Sequence, residues 1–285
     1  MEITSQFLNS IQNLSVAQLQ LLQRIISSFE AGVEVTVNPN SDLCADPEFS
    51  DYFANLFSVY HSITEHKFEK KSFEFAFKHA SLASGYECEI NKNSSNQGED
   101  VTRGSERISL KTEGEKTEHT FKISKFSEAR FIANFKTEIE EGDIASLKGN
   151  DQDKALRQSA LLAKREEELL PGLVEEFKST VSHHLNSYDR IIGLKSQSIE
   201  KDGEVISFRY RLIEIPKQLI ERALLLTSND FKPLRGNGGT SAAVLVDGVK
   251  AFGITLDGSV EKISITGIKI SGCITHAEFI VPVSV

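Results

Sequence analysis

No stretch of this 285-residue chain reaches the roughly 18 consecutive apolar residues that a membrane-spanning helix needs, so no such helix is expected. The opening MEITSQFLNS has neither a basic start nor an apolar core, and no secretory signal is expected either. Cysteine is scarce. Cys44, Cys88 and Cys273 are far apart and odd in number, which excludes a disulfide framework and points to a reducing, cytoplasmic compartment. The seven histidines show no zinc-ligand spacing; the adjacent His183 and His184 have no companion ligands and read as solvated surface residues. Positive charge is also in deficit: 32 Lys and Arg face 41 Asp and Glu, a net charge of −9. Nonspecific nucleic-acid binders are basic because phosphate contacts supply their affinity, so the surface as a whole is not a nucleic-acid platform. A local basic cleft on an acidic body stays open, and a site that gathers carboxylates around a divalent metal would add to the negative total. There is no internal repeat, no long low-complexity linker, no HNH signature, no Walker loop, and no helix-turn-helix or zinc-finger pattern.

What is present divides by period. Residues 5–31 carry Phe7, Leu8, Ile11, Leu14, Leu22, Ile25, Ile26 and Phe29 at helical spacing, with Gly32 past the end. A second helix starts at Asp46–Pro47, a capping residue and a proline suited to the first turn, and lines Phe49, Phe53, Leu56, Phe57, Tyr60 and Ile63 on one face. A third runs from about 66 to Ser84 and stops at Gly85. The period then changes to alternation in YECEI (86–90), RISLK (107–111) and HTFKISKF (119–126), followed by a helical SEARFIANF. Residues 150–187 read as helix, broken or restarted at Pro171. The last third is strand-rich: YDRIIGLKSQS and EVISFRYRLIEI flank the hairpin turn EKDGE, Pro216 opens a short helix, and Asp247–Gly248 and Asp257–Gly258 mark turns of a β-meander. The expected architecture is α/β, a central mixed sheet flanked by helices. It forms a single domain over 1–285, with a helical region at 1–65, a core at 66–145, and a helix plus β-meander at 146–285.

The chemistry concentrates in GEDVTRGSERISLKTEG (98–114). Alternation along RISLK puts Ile108 and Leu110 on one face, and Arg107, Ser109 and Lys111 on the other. Asp100 lies in the preceding loop; where the two segments abut, its carboxylate meets the Lys111 ammonium. Phosphodiester hydrolysis needs a bound divalent metal, an activated water and stabilisation of the charge that builds on phosphorus. A hard cation takes carboxylate oxygens, and a lysine beside it can orient or deprotonate the attacking water. One carboxylate is rarely enough, so a second acid is expected nearby.

These residues, GED…RISLKTE behind a helix containing FEFAF, resemble the PD-(D/E)-x-K nuclease core of type II restriction endonucleases over about residues 66–136. Glu99 stands where the family has proline, and Ser109 where it has an acid, as in the Ser-x-Lys variant, in which a carboxylate from a following helix substitutes. The resemblance implies Asp100, Ser109 and Lys111 as the motif residues. Glu128 is the replacement acid and metal ligand beside Asp100, with Glu113 as the alternative ligand, and Glu74 is the acid on the preceding helix. It further implies Mg²⁺ as cofactor, double-stranded DNA as substrate and a homodimer with two related sites. For DNA contacts, Arg103 and Arg107 flank the site; Arg209 and Arg211 form either a phosphate-facing stripe or a charged sheet edge. Lys232, Arg235 and Asn237 lie in a glycine-rich segment that could approach phosphates or base edges. Two rival functions remain beside the restriction enzyme: a repair or nicking nuclease of the same core, and a noncatalytic DNA-binding or assembly protein.

Overall fold

Asp46 begins the first well-packed helix as its side chain predicts: Asp46 Oδ1 accepts the Glu48 N–H at 2.9 Å, and Pro47 occupies the first turn. The computed structural model of the chain describes residues 8, 10–91, 99–114, 117–128, 172, 174–233, 239–257 and 262–283. Its helices are α1 (Val16–Ala31), α2 (Pro47–His61), α3 (Lys70–Ala83), α4 (174–186) and α5 (Lys217–Glu221). Its strands are β1 (Glu34–Val37), β2 (Cys88–Ile90), β3 (Val101–Arg103), β4 (Glu106–Glu113), β5 (Thr120–Glu128), β6 (Arg190–Lys201), β7 (Glu204–Glu214), β8 (Lys232–Pro233), β9 (Gly239–Val246), β10 (Val249–Asp257), β11 (Lys262–Lys269) and β12 (Ile274–Pro282).

A seven-stranded sheet in the order β1-β12-β7-β6-β4-β3-β2 forms the centre. It is mixed because β4 and β6 run parallel, whereas its other neighbours are antiparallel. A second, antiparallel sheet has the order β5-β11-β10-β9-β8. Helices α2 and α3 cover one face of the large sheet. Phe49, Phe53, Phe57, Phe73 and Phe77 meet Ile108, Leu110, Ile192, Leu194, Tyr210 and Phe279 there, and Phe57 stacks on Tyr210 with ring centroids 4.3 Å apart. Each fully buried ring of this kind contributes roughly 1.5–3 kcal/mol. The opposite face meets α4 and the second sheet, where Val174, Phe177, Val181 and Leu185 pack with Phe121, Ile123, Ile191 and Ile213. Contact there is close enough that a Cβ on Gly193 would lie 2.8 Å from Phe121 Cζ. The molecule is therefore an α/β architecture whose central mixed sheet is flanked by helices. Among the described residues no helix is long and apolar enough to cross a membrane.

Most local expectations carry through, and the departures have local causes. Asp202–Gly203 and Asp247–Gly248 turn the β6–β7 and β9–β10 hairpins with positive φ at both residues (55° and 87°; 52° and 78°). The helix expected over 5–31 is interrupted before Ser15. That residue starts a new helix through a capping box: Gln18 N–H donates to Ser15 Oγ at 3.3 Å, and Ser15 N–H to Gln18 Oε1 at 2.8 Å. Ser127 and Glu128 extend β5 rather than opening a helix, because β11 pairs with them. β1 and β3 were not expected. Within 150–187, the part from 174 to 186 is helical, and 150–171 lies outside the described residues.

Candidate active site

The β3–β4 hairpin, turned at Gly104 with φ of 58°, builds the site. Ile108 and Leu110 enter the helix-side core, so alternation sends Ser109, Lys111 and Glu113 to the opposite face. Asp100 precedes β3, and its N–H donates to Ile108 O at 2.9 Å, which fixes it beside the middle of β4. Its Oδ2 accepts the Leu110 N–H at 2.6 Å and the Ser109 hydroxyl at 3.2 Å, and lies 3.8 Å from Lys111 Nζ. Its Oδ1 accepts from Lys70 Nζ at 2.7 Å. Lys70 also reaches Glu74 Oε1 at 3.6 Å, and Lys71 reaches Glu74 Oε2 at 3.1 Å. Glu74, Asp100, Ser109 and Lys111 thus share one small volume, joined by Lys70.

The electrostatics follow from burial and these neighbours. The Lys111 side chain is 13% exposed. Burial pulls its pKa below the ordinary lysine value; Asp100 opposes the shift and Lys70 adds to it. Burial acts on Lys70 in the same sense, but Asp100 and Glu74 together outweigh it and hold Lys70 above the ordinary value. Lys111 is therefore the cation closer to giving up a proton. A cleft of 720 Å³ opens alongside, lined by His66, Lys67, Lys70, Glu113, Gly114 and Ser196 among others. It leads from solvent to the far end of β4.

The remaining expected residues are distributed as follows. Glu113 lies on the Lys111 face, and its Oε2 is paired with Lys195 Nζ at 2.8 Å, both side chains buried. Glu128 closes β5 opposite Lys262, so its backbone belongs to the second sheet; its side chain lies outside the described residues. Arg107 is half-exposed beside the site and held by Asp189 at 3.0 Å. Arg103 does not reach toward a phosphate. It shares the core-facing side of β3 with Val101, is buried, and lies over the Tyr86 ring at 3.7 Å. Arg209 and Arg211 are neither an open stripe nor an unpaired edge. Both reach Glu118 (2.8 and 3.1 Å) and Glu278 (3.4 and 2.6 Å). Lys232 is exposed on β8 in the second sheet. Arg235 and Asn237 lie outside the described residues. Lys70 was not singled out from the sequence, because only the fold brings it to Asp100. Of the two adjacent histidines, His183 is exposed as expected, but His184 is buried against the large sheet's neighbours.

A second ionic cluster lies elsewhere on the same sheet. Asp42, Glu214 and His276 place ligand-type atoms within 4.8 Å of one another. Arg190 fills that space, donating to Asp42 Oδ2 and Oδ1 at 2.9 and 3.0 Å and to Glu214 Oε2 from its Nε at 3.0 Å. Ser41 Oγ accepts the Cys44 N–H at 2.9 Å and is hydrogen-bonded with His276 Nδ1 at 2.8 Å, and His276 Nε2–H donates to the Glu214 carboxylate at 3.2 Å. Each of these groups has its partner within the fold.

Comparison with known proteins bears on the first cluster. The family model for SmaI, type II site-specific deoxyribonuclease, matches residues 7–161. That is more than half of the chain, and it contains Glu74, Asp100, Ser109, Lys111, Glu113 and Glu128. The type II restriction enzyme SmaI of Serratia marcescens is 26% identical over 259 residues, covering 88% of this chain and 87% of that protein. No solved structure matches. The match spans the strand hairpin that gathers the acids and the lysine: this chain belongs to the SmaI family of type II site-specific deoxyribonucleases.

Proposed function

We propose that this type II restriction enzyme hydrolyses double-stranded DNA at the Asp100–Lys111 site in a Mg²⁺-dependent reaction, as a Ser-x-Lys variant of the PD-(D/E)-x-K core. The observation that carries the reading is the Asp100 carboxylate. It is locked by Ser109 and Leu110 on one oxygen, lies 3.8 Å from Lys111, and shares the Lys70 ammonium with Glu74. Two carboxylates already arranged around one cation are a donor set that suits a hard divalent ion. Asp100, with Glu74 beside it and Glu128 as a further acid, would hold Mg²⁺. When bound, the ion supplies charge stabilisation at the phosphate and an acidified water.

The chain's own residues do the rest. Ser109 and the Leu110 N–H keep Asp100 from rotating. Lys111, with its lowered pKa, orients the attacking water, takes up its proton or steadies the oxygen that gains charge. Water oxygen bonds to phosphorus as the bond from phosphorus to the leaving sugar oxygen breaks, and that oxygen receives a proton. Arg107, half-exposed on β4 and paired with Asp189, would contact a backbone phosphate of the bound DNA. Two-fold related cuts call for a homodimer, and α1 offers an apolar surface for it in the exposed Val16, Leu19, Leu21, Ile26 and Phe29.

Plasmid cleavage tests the reading. Wild-type protein with Mg²⁺ is expected to give discrete linear fragments, chelation to stop cutting, and Asp100→Ala to stay folded but inactive. A wild type that binds a defined site without ever cutting, or an Asp100→Ala variant that cuts at the wild-type rate, would show the assignment to be wrong.

A further inference from the structure

We infer that His184 and Tyr188 are positioning residues of the hydrolytic site, one imidazole nitrogen and the phenol hydroxyl holding the attacking water against Lys111. The inference rests on the reading of Asp100 and Lys111 given above and adds residues that reading does not use.

The fold brings both side chains to the site from the opposite flank of β4. Asp100 N–H donates to Ile108 O at 2.9 Å on one side of the strand, and Asp189 N–H donates to Arg107 O at 2.7 Å on the other. Tyr188 immediately precedes Asp189, and His184 lies one helical turn earlier in α4. Their rings meet edge-on, centroids 5.1 Å apart, and His184 also packs against Phe126 at 4.6 Å. His184 is 5% exposed and Tyr188 0%. Even so, both imidazole nitrogens and the phenol oxygen lack a hydrogen-bond partner among the described residues. Three polar atoms left unpaired inside an apolar wall weaken a fold, and leucine and phenylalanine would pack there without that penalty. Such a cost marks a place where a ligand completes the bonding.

The electrostatics put both groups within reach of the Asp100–Lys111 pair's charges. Burial, then the Lys111 charge, pushes the His184 imidazole down to about 3, with Asp100 opposing. Burial, then Asp100, pushes the Tyr188 phenol up. Both groups therefore stay neutral at working pH. A neutral imidazole offers one N–H and one lone pair, and a phenol offers one O–H. A water fits that set: it gives a hydrogen to the ring lone pair and accepts one from the phenol.

The test uses Tyr188→Phe, His184→Leu and His184→Gln in the full chain, with Asp100→Ala as reference. It reads melting temperature, affinity for cognate DNA with Ca²⁺ replacing Mg²⁺, and single-turnover cleavage with Mg²⁺. Tyr188→Phe removes one unpaired oxygen, so it should melt at or above the wild-type temperature and bind DNA normally, yet cut at least about tenfold more slowly. His184→Leu should behave the same way, and His184→Gln, which keeps a donor and an acceptor, should recover most of the rate. Wild-type cutting by Tyr188→Phe and His184→Leu beside an inactive Asp100→Ala would overturn this inference alone. So would losses of melting temperature and DNA affinity that match the loss of rate. Cutting by Asp100→Ala would instead overturn the site assignment.

Discussion

The central sheet carries two clusters of opposed charge, and they are built to different standards of completeness. Around Arg190, the guanidinium, two carboxylates, the His276 imidazole and the Ser41 hydroxyl satisfy one another. Around Asp100, Lys111 stands off at 3.8 Å, Lys70 is shared between two acids, and His184 and Tyr188, which feel the Lys111 and Asp100 charges, have polar atoms unpaired among the described residues. The first cluster matches a metal-ligand pattern better on residue types alone. The lesson is that residue type does not make a site: a saturated network has nothing left to offer a substrate, and an incomplete one does.

Four measurements break or sharpen that contrast. Lys111→Ala should slow cleavage at least about a hundredfold, about 3 kcal/mol in the barrier, and leave the urea-unfolding midpoint nearly unchanged; single-turnover kinetics and denaturation read the two separately. Arg190→Ala should do the reverse. Stranding Glu214 without its cation is expected to cost about 3–5 kcal/mol of stability, with the cleavage rate per folded molecule retained.

The third concerns a histidine with all its bonds made. His61 Nδ1–H donates to Thr64 O at 3.1 Å and its Nε2 accepts the Tyr210 hydroxyl at 2.8 Å; burial pushes it down to about 4. The unfolded chain titrates near 6.5 and takes up the proton first. This contribution is therefore complete above about pH 6.5 and is lost as pH falls toward 4, roughly 3 kcal/mol in all. Urea midpoints of wild type and His61→Gln across that range should show the smaller acid loss in the variant. The smallest effect is expected at Arg209. Its guanidinium is taken by Glu118 and Glu278, so Arg209→Ala should change DNA affinity by no more than about threefold and leave the salt slope of binding unaltered.

Where a feature depended on neighbours in sequence, it was legible. Asp46–Pro47 began a helix, Asp202–Gly203 turned a hairpin, and the alternation of RISLK assigned Ile108 and Leu110 to the core and Lys111 to the other face. Features set by distant partners were not. Lys70 meets Asp100 thirty positions later, and the ions that neutralise Arg209 and Arg211 come from β12 and from the turn before β5. The four residues of β1 alternate in burial and form a strand because β12 supplies hydrogen bonds. His184 is an instructive miss, since its signal was local. Phe177, Val181, His184 and Tyr188 recur at helical spacing, which aims His184 inward while its neighbour His183 faces solvent.

The pairing of β1 with β12 also sets a schedule. Among the described residues, β1 gains its hydrogen-bonded neighbour only from β12, far along the chain, and such remote closure is slow. Until that distant segment is in place, the β1 edge of the central sheet is unpaired.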